Sequence, residues 1–232
     1  MKKTNSVEVI PRFSFGWRIQ HLLLALGVTG LALTGLALRY YDTSFGRFLI
    51  DVEGGLGMRG LLHRIFASML GAATVWHVMK VVFSREGHED FLALMPEKGD
   101  RTRWIKTLRS KLSGGSYEAD WGRYTFGQKV QYWMVACGVL AMIVSGVILL
   151  FGHRSVAFLP KWLVDAVRVI HGGQGVELMV FIVLWHLYST HLAPGRFPMD
   201  TSWITGNITL DQLKLNHKRE YRRLLGEETA DE

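Results

Sequence analysis

Apolar residues in this chain gather in long runs rather than alternating with polar ones. Leu22–Leu38 and Val130–His153 hold no charged residue, Val169–Pro194 holds only Glu177, and Gly60–Val82 is apolar around Arg64 and Lys80. A helix crossing about 30 Å of hydrocarbon needs about 20 mostly apolar residues, and each run supplies them. The pattern predicts spans over residues 19–39, 61–83, 129–152 and 168–192, a polar connection over 84–128 and a tail over 193–232. The first run is not read as a signal peptide, because it leads into a second apolar segment rather than into a small-residue cleavage site and a polar domain. The expectation is an all-α fold, an integral membrane four-helix bundle forming a single domain over residues 1–232.

Charge adds an orientation. Lys2, Lys3, Arg12 and Arg18 precede the first span, Arg85, Lys98, Arg101, Arg103, Lys106, Arg109, Lys111 and Arg123 fill the middle connection, and Lys214, Lys218, Arg219, Arg222 and Arg223 lie in the tail. The other two loops carry fewer basic residues, offset by Asp51, Glu53 and Asp165. Both termini and the middle connection are therefore expected in the cytoplasm, with the chain in a bacterial cytoplasmic membrane. The same excess accounts for the formal net charge of +7 without nucleic acid, for which no aromatic-basic motif is present. Cys137 is the sole cysteine, so disulfides, cysteine-held iron–sulfur clusters and covalent CxxCH haem are excluded within the chain. Ser110–Asp120, SKLSGGSYEAD, reads as a linker.

The histidines carry the chemistry. With the first span running outward, His21 falls near its cytoplasmic end; in the returning second span His63 lies outside and His77 about 21 Å deeper at 1.5 Å per residue. The fourth span returns likewise, with His171 outside and His186 about 22 Å deeper. At 100° per residue His77 is about 40° from His63, and His186 about 60° from His171, so each helix shows two imidazoles on roughly one face. A lone histidine in a span is as readily a packing residue as a ligand. Five at two matched depths suit two haems stacked across the bilayer, each held axially by histidines of different helices. His191, at the end of the fourth span, reads as interfacial. Arg64 and Lys80 can snorkel or meet haem carboxylates. Glu177 is an intramembrane carboxylate suited to proton movement or subunit contact.

Four motifs, taken together, carry a family resemblance. RFSFGWRIQHLLLALGVTGLALTGL (Arg12–Leu36), GRYTFGQKVQYW (Gly122–Trp133), VRVIHGGQGVELMVFIVLWHLY and WITGNITLDQLKLNHKREYRRL occur in that order. They resemble the first span, the segment before the third span, the fourth span and the cytoplasmic tail of the cytochrome b (gamma) subunit of respiratory formate dehydrogenases, a di-haem cytochrome b561-like family that includes related hydrogenase and thiosulfate reductase subunits. The resemblance implies two haem b groups, with His63 and His171 as axial ligands of the outer one and His21 and His186 as those of the inner one. His77 is the departure. The pairs His63/His77 and His171/His186 also resemble the pattern of cytochrome b in bc-type complexes, where His77 is the inner ligand. The remaining motifs follow the formate dehydrogenase type and favour His21.

The resemblance further implies a quinone, menaquinone or ubiquinone, near the inner haem at Thr125, Gly127, Gln128 and His186, with Tyr124 and Phe126 packing its ring. Thr125 stands where relatives often carry asparagine, and the segment also has the simpler reading of a helix start at the membrane surface. With no nucleotide-binding glycine motif, no HExxH and no cysteine cluster, the chain is not expected to be the catalytic subunit for a soluble substrate. The expected role is electron transfer between the quinone pool and a partner at the outer face. That partner is an iron–sulfur subunit or a multihaem cytochrome c, joined to a catalytic oxidoreductase subunit. A haem-free membrane anchor is the competing class, and it predicts a colourless protein.

Overall fold

The computed structural model describes residues 8–115, 119–193 and 196–226. Lys2, Lys3 and Pro194, counted in the charge and hydropathy reading, lie outside the described residues. Among those described, four helices are long and apolar enough to cross a membrane: α1 (Phe15–Arg39), α3 (Gly55–Phe83), α6 (Phe126–Leu150) and the fourth over Lys161–Leu192. The fourth begins as α8 (Lys161–Phe181) and continues as a π-helix, Ile182–Leu192. The shorter helices are α2 (Ser44–Val52), α4 (Arg85–Ala93), α5 (Asp100–Leu112), α7 (Gly152–Phe158), α9 (Ser202–Thr205), α10 (Leu210–Asn216) and α11 (Lys218–Leu225). To the all-α expectation the structure adds one short ribbon, β1 (Val9–Pro11) antiparallel to β2 (Asn207–Thr209), with Ile10 opposite Ile208.

Every spanning helix starts earlier than its apolar run. Hydropathy marks where charge stops, whereas a helix starts where the backbone can be capped. Thus Thr43 Oγ1 accepts from the Gly46 N–H at 3.1 Å to open α2, and Gly54 and Gly55, at φ 87° and 91°, turn the chain into α3. Both elements lie in a stretch the apolar pattern leaves as a loop. The expected linker Ser110–Asp120 is helical through Leu112 and carries a buried Ala119; its residues 116–118 lie outside the described set.

The chain forms two compact units. The first, Ile19–Val78 with Met134–Asp200, is the membrane bundle. Its helices pack through small residues: a Cβ on Gly30 of α1 would strike the Phe66 ring of α3 at 2.4 Å, and one on Gly138 of α6 would meet Leu178 of α8 at 3.2 Å. Its outer surface is aliphatic, with Leu26, Leu33, Val75, Val78, Leu140 and Leu184 all exposed. In water such a surface would drive aggregation; against lipid tails it costs nothing.

The second unit comprises the described parts of Met1–Arg18, Met79–Trp133 and Thr201–Glu232. The tail's Gly206 carbonyl accepts from the Arg12 N–H at 2.7 Å and the Phe13 N–H at 3.0 Å, continuing the β1–β2 ribbon. Lys129, 2% exposed, donates to Asp100 at 2.9 Å and Glu97 at 3.0 Å, and Arg219 from the tail reaches Glu97 at 2.6 Å. Arg123 pairs with Asp90, and His217 Nδ1 lies 2.8 Å from the Gly122 carbonyl. Several of the basic residues of the middle connection and tail are thus held in internal ion pairs.

Candidate functional site

Four of the predicted histidines meet as two cross-helix pairs inside the bundle. His63 of α3 faces His171 of α8 with ring centres 6.5 Å apart, and His21 of α1 faces His186 of the π-helix at 6.1 Å. An imidazole–metal bond of about 2.0 Å on each side of one ion, plus about 1.1 Å from ring nitrogen to ring centre, would set two facing rings about 6.2 Å apart. Both pairs match that spacing. Among the described residues no group of three or more His, Cys, Asp or Glu side chains could hold a metal ion, so each pair suits an ion whose remaining ligands come from a macrocycle.

Hydrogen bonding sets the first pair for metal. Thr34 Oγ1 lies 2.8 Å from His63 Nδ1 and donates its own proton to the Gly30 carbonyl at 2.7 Å. With that proton engaged, the oxygen accepts from Nδ1–H and leaves the Nε2 lone pair for a metal. Ser145 repeats the arrangement on the other side: its Oγ donates to the Ala141 carbonyl at 2.7 Å and sits 2.7 Å from His171 Nδ1. Arg59 Nε donates to the Thr34 carbonyl at 2.7 Å, fixing the same turn. Apolar periodicity does not reveal Thr34, Ser145 or Arg59, because their roles arise between helices rather than along one.

The second pair is built differently. At 100° per residue His186 would lie about 60° from His171, but the π-helix turns by about 82° per residue, and from Ile182 this brings His186 within about 12° of His171. The Ala193 N–H bond to the Tyr188 carbonyl, at 2.9 Å, has the π spacing. Thr190 and Ser189 hydroxyls donate to the His186 carbonyl at 2.7 and 3.1 Å. His77, the rival for this level, has its Nδ1 3.3 Å from Oε1 of Gln20, a residue only 2% exposed.

The segment before the third span forms a reciprocal cap. Thr125 N–H donates to Gln128 Oε1 at 2.8 Å, and Gln128 N–H donates to Thr125 Oγ1 at 3.3 Å, which starts α6 at Phe126. Gly127 lies within this first turn. Phe126 stacks near Trp104 with centres 5.8 Å apart, and Tyr124 lies beneath the Arg12 and Arg123 guanidiniums. Burial raises the Tyr124 phenol above its ordinary range, and nearby Asp90 adds to this against the two arginines. Lys80 pairs with Glu86 at 2.9 Å, donates to Ser14 at 3.0 Å and lies over Trp17. Glu177 is exposed on the bundle surface, in a shallow groove with Val180, Phe181, Leu184 and Trp185.

A multi-pass helical bundle whose interior presents paired imidazoles at that spacing suits a membrane cytochrome. The profile of the family described as "Prokaryotic cytochrome b561" matches residues 12–196, and the chain belongs to that family. Its relatives include the cytochrome b556(fdo) subunit of formate dehydrogenase from Escherichia coli K12, 26% identical over 94% of this chain and 94% of the relative. The cytochrome b556(Fdn) subunit of the nitrate-inducible formate dehydrogenase from the same strain is 25% identical over 94% and 92%. A formate dehydrogenase cytochrome b556 subunit from Haemophilus influenzae is 29% identical over 88% and 79%. The chain is thus a membrane cytochrome b that takes haem b and serves electron transfer.

Proposed function

We propose that the chain is one di-haem cytochrome b domain of a respiratory oxidoreductase, carrying electrons between a redox subunit at the outer face and quinone at the inner face of the bacterial cytoplasmic membrane. The observation that carries this reading is the pair of imidazole pairs at 6.5 and 6.1 Å, contributed by three of the spanning helices. His63 and His171 hold the outer haem, and His21 and His186 the inner one. The approach of the His21 and His186 rings to 6.1 Å supports His21 as the inner ligand, while His77 contacts Gln20 and packs α1 against α3. When bound, haem b supplies one-electron carriage at a potential tuned by its axial ligands and their hydrogen bonds.

The chain's own part is orientation and exclusion. Thr34 and Ser145 hold Nδ1 protonated and aim Nε2, and the aliphatic bundle keeps the site dry. At the inner face Gln128 spends its carbonyl oxygen on the Thr125 cap, which leaves its amide N–H groups to donate to a quinone carbonyl beside Thr125 and Gly127. Both termini and residues 84–128 face the cytoplasm. The relatives are named as subunits of formate dehydrogenases, which supports an iron–sulfur subunit and a catalytic oxidoreductase subunit as partners here; a multihaem cytochrome c is the alternative donor. The purified native complex should give a reduced-minus-oxidised spectrum of b-type haem with two haems per chain. A colourless chain would instead establish the haem-free anchor.

A further inference from the structure

His191 closes the π-helical segment, one turn beyond His186. In an α-helix five steps of 100° would carry it about 140° around the axis. At about 82° per step it stays about 50° from His186, so the π-helix recruits to the bundle interior a histidine that the sequence pattern leaves at the interface. Its Nδ1 is buried and has no hydrogen-bond partner among the described residues.

A buried ring nitrogen with no partner costs about as much as a lost hydrogen bond, so its retention calls for an acceptor that the chain itself does not provide. The backbone around it is fixed: Arg196 Nη1 donates to the Ser189 carbonyl at 2.7 Å, and the Asp200 N–H donates to the Thr190 carbonyl at 3.0 Å. A side chain one turn along the same helix face from a ring of a facing pair lies beside whatever the pair holds rather than between the two rings. The oxygen atoms on the rim of haem b are its two carboxylates. We propose that His191 donates a hydrogen bond from Nδ1 to a carboxylate of the haem held between His21 and His186. This rests on the assignment of His21 and His186 as a ligand pair. A quinone carbonyl offers similar acceptor chemistry, and the experiment separates the two.

The test is a potentiometric titration of both b haems in the native complex for the wild type, His191→Ala, His191→Phe and His191→Gln. Quinone-analogue affinity is measured on the same samples. Loss of the donor leaves a carboxylate charge uncompensated, which favours the oxidised haem. His191→Ala should retain two haems and lower the midpoint of one of them, with analogue affinity unchanged. His191→Phe, which keeps the ring volume without an N–H, should do the same and decides the question if the alanine variant fails to assemble. His191→Gln, which keeps an N–H donor, should restore most of the shift. Unchanged midpoints overturn the inference, and a change confined to analogue affinity transfers His191 to the quinone. Fewer than two haems in the wild type overturns the ligand assignment itself.

Discussion

Buried polar side chains serve different ends in the two units. In the bundle, Gln20, Thr34 and Ser145 are each less than a tenth exposed, and each contacts a histidine: His77, His63 and His171. In the second unit, Lys129 and Asp100 are as deeply buried, and Arg12 and Asp90 nearly so, yet they pair through Lys129–Asp100 and Arg123–Asp90 or bond to backbone. Burying a polar group costs free energy unless it is bonded. Polarity inside the bundle is therefore spent on imidazole orientation, and polarity inside the second unit on holding the middle connection to the tail.

Removing a ligand tests this contrast most severely. His171→Ala should lose one haem completely and abolish electron transfer through the chain, while circular dichroism and α10 protection from hydrogen exchange stay unchanged. Loss of both haems would mean the two pairs are not independent.

Next in size is the opposite experiment. Asp100→Asn leaves the buried Lys129 ammonium with Glu97 as its one carboxylate partner and should destabilise the second unit by about 1.5–3 kcal/mol, with both haems retained. Hydrogen exchange in α5 and α10 would report it. Burial by itself raises the Asp100 and Glu97 carboxyls, but hydrogen bonds outweigh it: from the Glu97 N–H, Lys129 and Arg103 to Asp100, and from Arg219 and Lys129 to Glu97. Both therefore lie below their ordinary range. Their contribution is complete above the unfolded carboxylate range of about pH 4 and disappears as pH falls through the lowered folded values. Acid should loosen the second unit through this term, and protection that is flat down to pH 3 would contradict it.

Smaller effects distinguish the two histidine pairs. Thr34→Val or Ser145→Ala should weaken haem retention at the first pair by about 10–100-fold and leave the second unaffected, as read by haem release to apomyoglobin. Glu177→Gln should leave both spectra and midpoints unchanged and reduce recovery of the partner subunits, since its carboxylate faces outward beside Trp185. Unchanged recovery removes Glu177 from any subunit contact.

Much of the bundle is readable from the chain because hydropathy and histidine spacing act along single helices. Position marks His21, His63, His77, His171 and His186 as candidates, and the structure brings four of them together in two pairs. The second unit is less readable because Lys129, Glu97, Asp100 and Arg219 meet over sequence separations that a charge count cannot resolve; they look like a solvated basic excess. The π-helix is hidden for another reason. Its apolar residues follow no 3.6-residue pattern strong enough to betray a change of turn, and so His191 looks peripheral. His77 shares with His63 the spacing of a ligand pair, and its contact with Gln20, which lies on another helix, is visible only in the structure.

The central claim is that four histidines, and not His77, hold two haems. Haem content per chain, measured on the purified complex carrying His21→Ala or His77→Ala, tests it directly. The account predicts one haem for His21→Ala and two for His77→Ala; two for His21→Ala with one for His77→Ala would contradict it.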